Sequence, residues 1–353
     1  LSSTPAPTRR ASIERPEQCT FESGDWDILA RQWFPVATAD AVGEAPLAAR
    51  LLDVDLVLFR SASVVTVAVD RCPHRGMRLS RGRVAEGQLI CPYHGLHFGG
   101  DGRCTAIPSR PDAVLSDRMS LELVSSVERF GLIWVSLQAE ESRLPSFEAW
   151  DRPEFLKLVC NPIDILGSAG RQIEGFLDVS HFAWAHTSTF GKDATPIVPD
   201  YAVETTDSGF RAHYLSNVSN YGPEERHRAP PDFVWRRTFE VFAPFTARLI
   251  IDYPERQQLW LLNAASPVSA RRTRMFCPLA RNFDVDGSVE AVRDFNDRVF
   301  NEDRILVENQ RPRDLPLDLG SEVSIPADRS SVAYRRVLKQ MGLKLTYAGP
   351  ATD

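Results

Sequence analysis

Four residues on two short stretches have the types and the spacing to hold metal. Cys72-Pro73-His74-Arg75-Gly76 reads C-x-H, and Cys91-Pro92-Tyr93-His94-Gly95 reads C-x2-H. Each stretch offers one sulfur and one imidazole. That division suits a [2Fe-2S] centre in which the cysteines hold one iron and the histidines the other. Neutral imidazoles in place of thiolates reduce the negative charge on the cluster and raise its potential. A zinc site can use the same four ligands, but zinc fingers pair the cysteines on one segment and the histidines on another. The spacing therefore favours the cluster. With that ligand set full, His97 is expected to be a hydrogen-bonded structural residue and Cys104 a small buried hydrophobe. Arg71, Arg75, Arg78, Arg81 and Arg83 form a local basic group. It reads equally as a docking face for an acidic redox partner or as solvated loop charge.

A second set lies further on. Glu174-Gly175-Phe176-Leu177-Asp178-Val179-Ser180-His181 continues to Ala185-His186, giving D-x2-H-x4-H on a predicted helix and its end. Two histidines with a distant carboxylate make a facial triad that leaves iron positions open for dioxygen. Asp303 supplies the carboxylate. It falls on a predicted helix from about Ser288 to Gln310, where Val292, Val299, Leu306 and Gln310 lie within roughly 40° of one another and Phe295 marks the edge. Asp303 sits in the middle of that stripe, and an ionised carboxylate facing a core is costly unless it is paired or bound to metal. Asp178 precedes His181 by three residues, so both are expected on one helical face. It is placed to accept the imidazole's outer N-H while its other oxygen stays free. Taken alone the D-x2-H-x4-H pattern is weak, and ordinary histidines are its default reading. The combination with the cluster motif and Asp303 is what makes it specific.

These residues need two kinds of scaffold. The chain has 353 residues, 43% hydrophobic and 25% charged, the balance of a packed globular protein with room for two domains. No stretch approaches the length of an apolar membrane span, and the opening residues have no apolar signal core, so the expectation is a cytoplasmic protein with no membrane partner. A net charge of -6 argues against nucleic acid. Six cysteines in a chain too large to need disulfide staples suggest metal ligation for at least two. From Trp33 to about Leu137, β-branched runs (Leu56 to Arg60, Val64 to Val69, Leu132 to Val135) alternate with turns such as Gly99-Gly100-Asp101-Gly102, which reads as all-β. The second half mixes strand-like runs (Ala247 to Asp252, Leu259 to Leu262) with two helices and reads as α+β. Expected boundaries are a flexible lead-in over 1–24, a cluster domain over 25–144, a catalytic domain over 145–345 connected through Pro145 to Pro153, and a tail over 346–353.

The two Cys/His loops resemble the Rieske proteins. The electron-carrier branch of that family has an extra disulfide beside the ligands, whereas Met77 and Tyr93 stand nearby here, so the chain resembles the oxygenase and ferredoxin branch. The D-x2-H-x4-H run and Asn301 to Gln310 resemble the mononuclear iron motif and third-ligand helix of Rieske oxygenases. The resemblance spans about Trp33 to Leu343. It implies an N-terminal Rieske domain, a C-terminal helix-grip (START-like) catalytic domain, and a head-to-tail homotrimer. It also implies that Asp178 connects His181 to the second cluster histidine of a neighbouring chain, which maps to His94. Many relatives have Asn where this chain has Gly175, so a polar group near the iron is expected to be missing and the pocket enlarged.

Function follows as an expectation. A separate reductase drawing on NAD(P)H, with or without a ferredoxin, reduces the cluster. Fe(II) then activates dioxygen to hydroxylate a small aromatic or heterocyclic molecule, or to demethylate it when the attacked carbon is a methyl on O or N. The C-terminal stretch with Val332-Ala333-Tyr334-Arg335-Arg336 resembles methylxanthine N-demethylases and guanidinium-toxin alkaloid hydroxylases. The rival from another class is a Rieske electron carrier without oxygenase activity, and a zinc-dependent binding module is a third reading. Phe176, Phe182, Trp184 and Phe190 are candidates for the substrate pocket, although aromatics at such spacing are more often core.

Overall fold

The computed structural model describes residues 12–138, 143–191, 195–222 and 224–349. The chain forms two compact units that part between Arg143 and Leu144, with Thr20–Ile28 joining the second unit rather than the first.

The first unit is all-β. Val54–Ser61 pairs with both Leu47–Leu51 and Val64–Val69, and Leu132–Ser136 pairs with both Phe34–Thr38 and Ser125–Arg129. A four-stranded meander of Arg83–Ala85, Gln88–Ile90, His97–Phe98 and Cys104–Ala106 carries the second Cys/His loop between its second and third strands. Val57, Phe59, Leu89, Leu96 and Phe98 fill the core beneath the loops together with Cys104. His97 Nδ1 lies 3.0 Å from Gln88 Oε1, the structural role expected of it.

The second unit is α+β. Its antiparallel sheet runs, among the described residues, in the order Leu156–Val159, Pro278–Arg281, Gln258–Ser269, Thr246–Asp252, Trp235–Phe242, Gly209–Ser216, Ala202–Thr206. Helix α1 (Ser23–Leu29) belongs to this unit up to Ile28, and α2 (Ala169–Leu177), α3 (Phe182–Ala185), α4 (Val289–Asn309) and α5 (Arg329–Gln340) belong to it whole. Ser168 caps α2 by accepting from Arg171 N at 3.3 Å, and Ser288 caps α4 by accepting from Ala291 N at 3.2 Å. Each hydroxyl satisfies an amide that the first helical turn leaves without a partner.

Four expectations need correction. Residues 12–24 are not a loose lead-in, because Ile13, Cys19 and Phe21 are buried and Phe21 bridges Tyr347. The first eleven residues of that expected segment lie outside the described residues. The tail is likewise paired up to Ala348, whose N donates to Thr20 O at 2.8 Å. The stretch from Pro145 to Pro153 is no open connection. Phe147 and Ala149 are buried, and Arg248 Nη1 donates to Ser146 O at 3.1 Å. Finally, α5 is a further helix of the second half, with Tyr334 and Leu338 fully buried.

Candidate functional site

The two Cys/His loops are near copies of one another. Cys72 N donates to Met77 O at 2.8 Å and Gly76 N to Cys72 O at 2.9 Å. Cys91 N donates to Leu96 O at 2.9 Å and Gly95 N to Cys91 O at 3.1 Å. Gly76 and Gly95 turn the chain at φ of +69° and +70°, a conformation a Cβ would strain. Both cysteines are 2% exposed, while His74 and His94 are exposed with ring centroids 4.6 Å apart. The loops thus bring two sulfurs together inside and two imidazoles together outside. Burial, and then the neighbouring Cys91, push the Cys72 thiol up to about 11. A buried thiol raised in this way becomes a thiolate only beside a cation. The donor set fits a [2Fe-2S] cluster, which Cys72 and Cys91 from inside and His74 and His94 from the surface would hold.

In the second unit, His181 Nε2 and His186 Nε2 lie 3.1 Å apart, and Asp303 Oδ1 is 3.4 Å from the first and 3.2 Å from the second. The outer nitrogens are also held. His181 Nδ1 is 3.1 Å from Asp178 Oδ2, and His186 Nδ1 is 2.8 Å from Glu302 Oε2. An Nδ1-H donating to each carboxylate leaves both Nε2 lone pairs and a carboxylate oxygen aimed at one point. That arrangement is repulsive unless a proton or cation sits among them, so the donors fit a divalent metal. Burial works against charge at His181, but its bonds to Asp178 and Asp303 outweigh it and lift the imidazole to about 9. Burial also opposes ionisation of Asp303, and the two imidazoles outweigh it and hold that carboxyl at about 2.

Glu302 is a residue of this site that the sequence motifs did not assign. It accepts from His186 and from Thr189 Oγ1 at 2.7 Å, and Ser188 Oγ donates to its other oxygen. Its only signal in the sequence is adjacency to Asp303, with a second histidine left in need of an orienting acceptor. Glu302→Gln is expected to weaken mononuclear iron retention about 10- to 100-fold while leaving the cluster spectrum unchanged, measured as iron per chain after dialysis against chelator.

Two other placements differ from expectation. Asp178 and His181 are not on one helix. Asp178 ends α2 and His181 precedes α3, because Asp178 Oδ1 takes Ser180 N at 2.8 Å and Ser180 Oγ at 2.7 Å and so stops the helix. That oxygen is consequently engaged rather than free. The stripe of α4 also does not face the core. The buried positions of α4 are Asn296, Phe300 and Val307, whereas Phe295, Val299 and Asp303 line a cavity of about 60 Å³ and Leu306 and Gln310 line another of about 450 Å³. The helix period selected the right face, but an apolar face can border a cavity as well as a core.

The smaller cavity joins the donor set to the sheet. Alternate residues of three strands point into it in two cross-strand rows, Arg237-Ile251-Leu259 and Phe239-Leu249-Leu261. Phe176, Phe182 and Phe190 complete the wall, whereas Trp184 is 73% exposed and lines neither cavity. In a four-residue helix, packing Phe182 inward turns Trp184 outward. Asn220, Leu259, Phe295 and Asn296 are shared with a wider recess of about 440 Å³, which extends the cavity outward. Gly175 lines the 450 Å³ cavity, and a Cβ there meets only Val307 Cγ2 at 3.7 Å. Gly175→Ala is therefore expected to stabilise the protein by about 0.5–1 kcal/mol, as a helical glycine replaced without a clash does, seen as a higher denaturant midpoint.

Comparisons with known proteins agree with this geometry. Residues 32–127 match the Rieske [2Fe-2S] domain model and residues 168–344 match the vanillate O-demethylase oxygenase C-terminal domain model. Methylxanthine N1-demethylase NdmA of Pseudomonas putida is 31% identical over 89% of this chain and 90% of its own. Vanillate O-demethylase oxygenase subunit of a Pseudomonas strain is 25% identical over 88% of this chain and 93% of its own. The solved structure of Pseudomonas putida NdmA with caffeine shares a TM-score of 0.78 at 29% identity, covering 90% of this chain and 92% of that one. The chain belongs to the Rieske non-haem iron oxygenases. Within them it is a terminal oxygenase of the vanillate O-demethylase type, which uses a Rieske cluster and a mononuclear iron and takes electrons from a separate reductase. Among the described residues no helix is long and apolar enough to cross a membrane.

Proposed function

We propose that this chain is a cytoplasmic monooxygenase that hydroxylates or oxidatively demethylates a small ring compound, works as a homotrimer, and holds its metals through the residues assembled above. Cys72, His74, Cys91 and His94 would carry the cluster. His181, His186 and Asp303 would carry the iron. The single observation that carries the reading is that the two-histidine, one-carboxylate set borders an aromatic cavity while both outer imidazole nitrogens are fixed by carboxylates. When bound, the iron supplies activation of dioxygen, with electrons drawn from the cluster.

The chain's own residues do the rest. Asp178 and Glu302 hold the imidazoles in one tautomer and one orientation. The ring of phenylalanines accepts a flat substrate and excludes water, so that its reacting carbon is held toward the donor set. If that carbon is a methyl on O or N, the hydroxylated product collapses to formaldehyde and the demethylated compound. Exposed Arg75, Arg81 and Arg83 remain candidates for docking an acidic reductase or ferredoxin, whereas Arg71 and Arg78 are tied to Glu122 and Asp55 at 2.7 Å.

The test is an oxygen-uptake and formaldehyde-release screen over methoxy, N-methyl and unmethylated heterocycles and aromatic acids, on protein with measured metal content. Two cluster irons and one mononuclear iron per chain are expected, and Cys91→Ser should abolish the cluster's optical and EPR signals. Full occupancy by zinc with no iron would sink the reading.

A further inference from the structure

Among the described residues the buried arginines other than Arg237 each meet a carboxylate. Arg171 and Arg335 both reach Glu174 and Glu322, and Arg248 reaches Glu240 and Glu148. Arg237 is 1% exposed, and no carboxylate among the described residues lies within ion-pair reach of it. Its bonds go to neutral acceptors. Nη1 donates to Ser216 Oγ at 3.4 Å, and Nη2 donates to Val218 O at 3.0 Å and Asn220 Oδ1 at 3.4 Å. A guanidinium has five N-H donors, and these bonds engage three of them, which leaves two for a ligand.

Burial lowers the Arg237 guanidinium to about 10, which still leaves it charged at neutral pH. A buried charge without a counter-charge is strongly unfavourable. A protein that keeps one in a substrate cavity has left the counter-charge to the ligand. The position is also defined. Phe182 packs against His181 at 5.1 Å between ring centroids and lies under the Arg237 guanidinium at 5.4 Å, so one aromatic side chain separates the fixed charge from the donor set. Apart from the amide of Asn296, the remaining walls are Phe, Leu, Ile and Val side chains, which suit a flat, largely apolar ring. Asn220 donates to Tyr253 Oη at 2.5 Å and accepts from Arg237, so its amide orients the guanidinium.

We infer that Arg237 is an anion-binding subsite and that the substrate is an aromatic or heteroaromatic ring bearing a carboxylate, held with that group on Arg237 and its reacting edge toward His181, His186 and Asp303. The guanidinium stays charged at this burial and can give the carboxylate a charge-assisted hydrogen bond from a donor that its bonds to Ser216, Val218 and Asn220 leave free, which a lysine's ammonium on its flexible stem reproduces only in part. This inference rests on the oxygenase reading above and adds the charge of the substrate to it.

The test is anaerobic titration calorimetry of the purified holoprotein with 3-methoxybenzoate, 4-methoxybenzoate, nicotinate and 6-methoxynicotinate, each against its own primary amide. The amide keeps the shape and removes the charge. At least one acid should bind about 10- to 100-fold more tightly than its amide, the range for a charge-assisted hydrogen bond. In Arg237→Gln that ratio should fall to near unity with amide affinity little changed, and Arg237→Lys should keep part of it. A purely structural Arg237 would instead weaken acid and amide together. If every acid binds no better than its amide, or if the preference survives in Arg237→Gln, the inference is overturned. Should the variants fail to fold, the acid-to-amide ratio of the unaltered protein decides alone. Iron content and cluster spectrum of the same samples separate the two readings. Metal-free protein defeats the oxygenase assignment, whereas fully loaded protein that prefers the amides defeats only the substrate charge.

Discussion

Asp303→Ala is expected to abolish turnover and strip the mononuclear iron while leaving the [2Fe-2S] spectrum unchanged. Asp303 Oδ1 is the shared neighbour of both Nε2 atoms, at 3.4 and 3.2 Å, and no other carboxylate of α4 reaches that point. Glu302 faces His186 Nδ1, and Glu308 is turned away to accept from Leu166 N at 3.0 Å. The loss should exceed the roughly 10- to 100-fold cost of removing an orienting partner such as Glu302. The measurement is iron per chain with single-turnover product yield, and the EPR signal of the reduced cluster serves as the internal control. Retention of normal iron and activity would mean that the third ligand lies elsewhere and that the geometry around Asp303 is only a buried ion pair.

The proposed ligands were legible in the sequence because each is an unusual residue in a short pattern. The two Cys/His loops needed only spacing, since Gly76 and Gly95 close both turns at the same φ. Asp303 was legible through conflict, a carboxylate in an apolar stripe. What the pattern could not say was whether that stripe met a core or a cavity. Helical periodicity reports which residues share a face, and the space opposite α4 depends on the three strands Trp235–Phe242, Thr246–Asp252 and Gln258–Ser269. Arg237 and Glu302 were hidden for a related reason. Nothing local distinguishes an arginine in a strand that alternates inward from one that alternates outward, such as Arg236 beside it. Only the burial of one and the exposure of the other tell them apart. The break between α2 and α3 did have a local signal. The Asp-x-Ser step allows the side chain to take the backbone amide two residues on, and the histidine spacing overshadowed it.

The last expected result concerns how electrons reach the iron. Asp178→Asn should leave both metals bound but suppress product formation by about 10- to 100-fold, the usual cost of losing a carboxylate that orients a ligand histidine. Oδ2 takes the outer nitrogen of His181 at 3.1 Å, and Oδ1 is fixed by two bonds from Ser180. An asparagine could keep one acceptor, but it would lose the charge that strengthens these bonds. Ser180→Ala should then give a smaller loss of the same kind, since the carboxylate keeps its charge and loses part of its support. Both variants are read by product per turnover at full metal content. The proposed homotrimer adds a sharper consequence. In the proposed assignment His94→Ala would lack a cluster ligand and His181→Ala an iron ligand, so each should be inactive by itself. If the cluster of one chain serves the iron of the next, mixed oligomers contain interfaces that pair an intact cluster with an intact iron site, and partial activity returns. If transfer stays within one chain, every chain in the mixture is broken at one end and activity stays at zero. Verified mixed oligomers without recovery would remove both the trimer-based route and the bridging role of Asp178 across it.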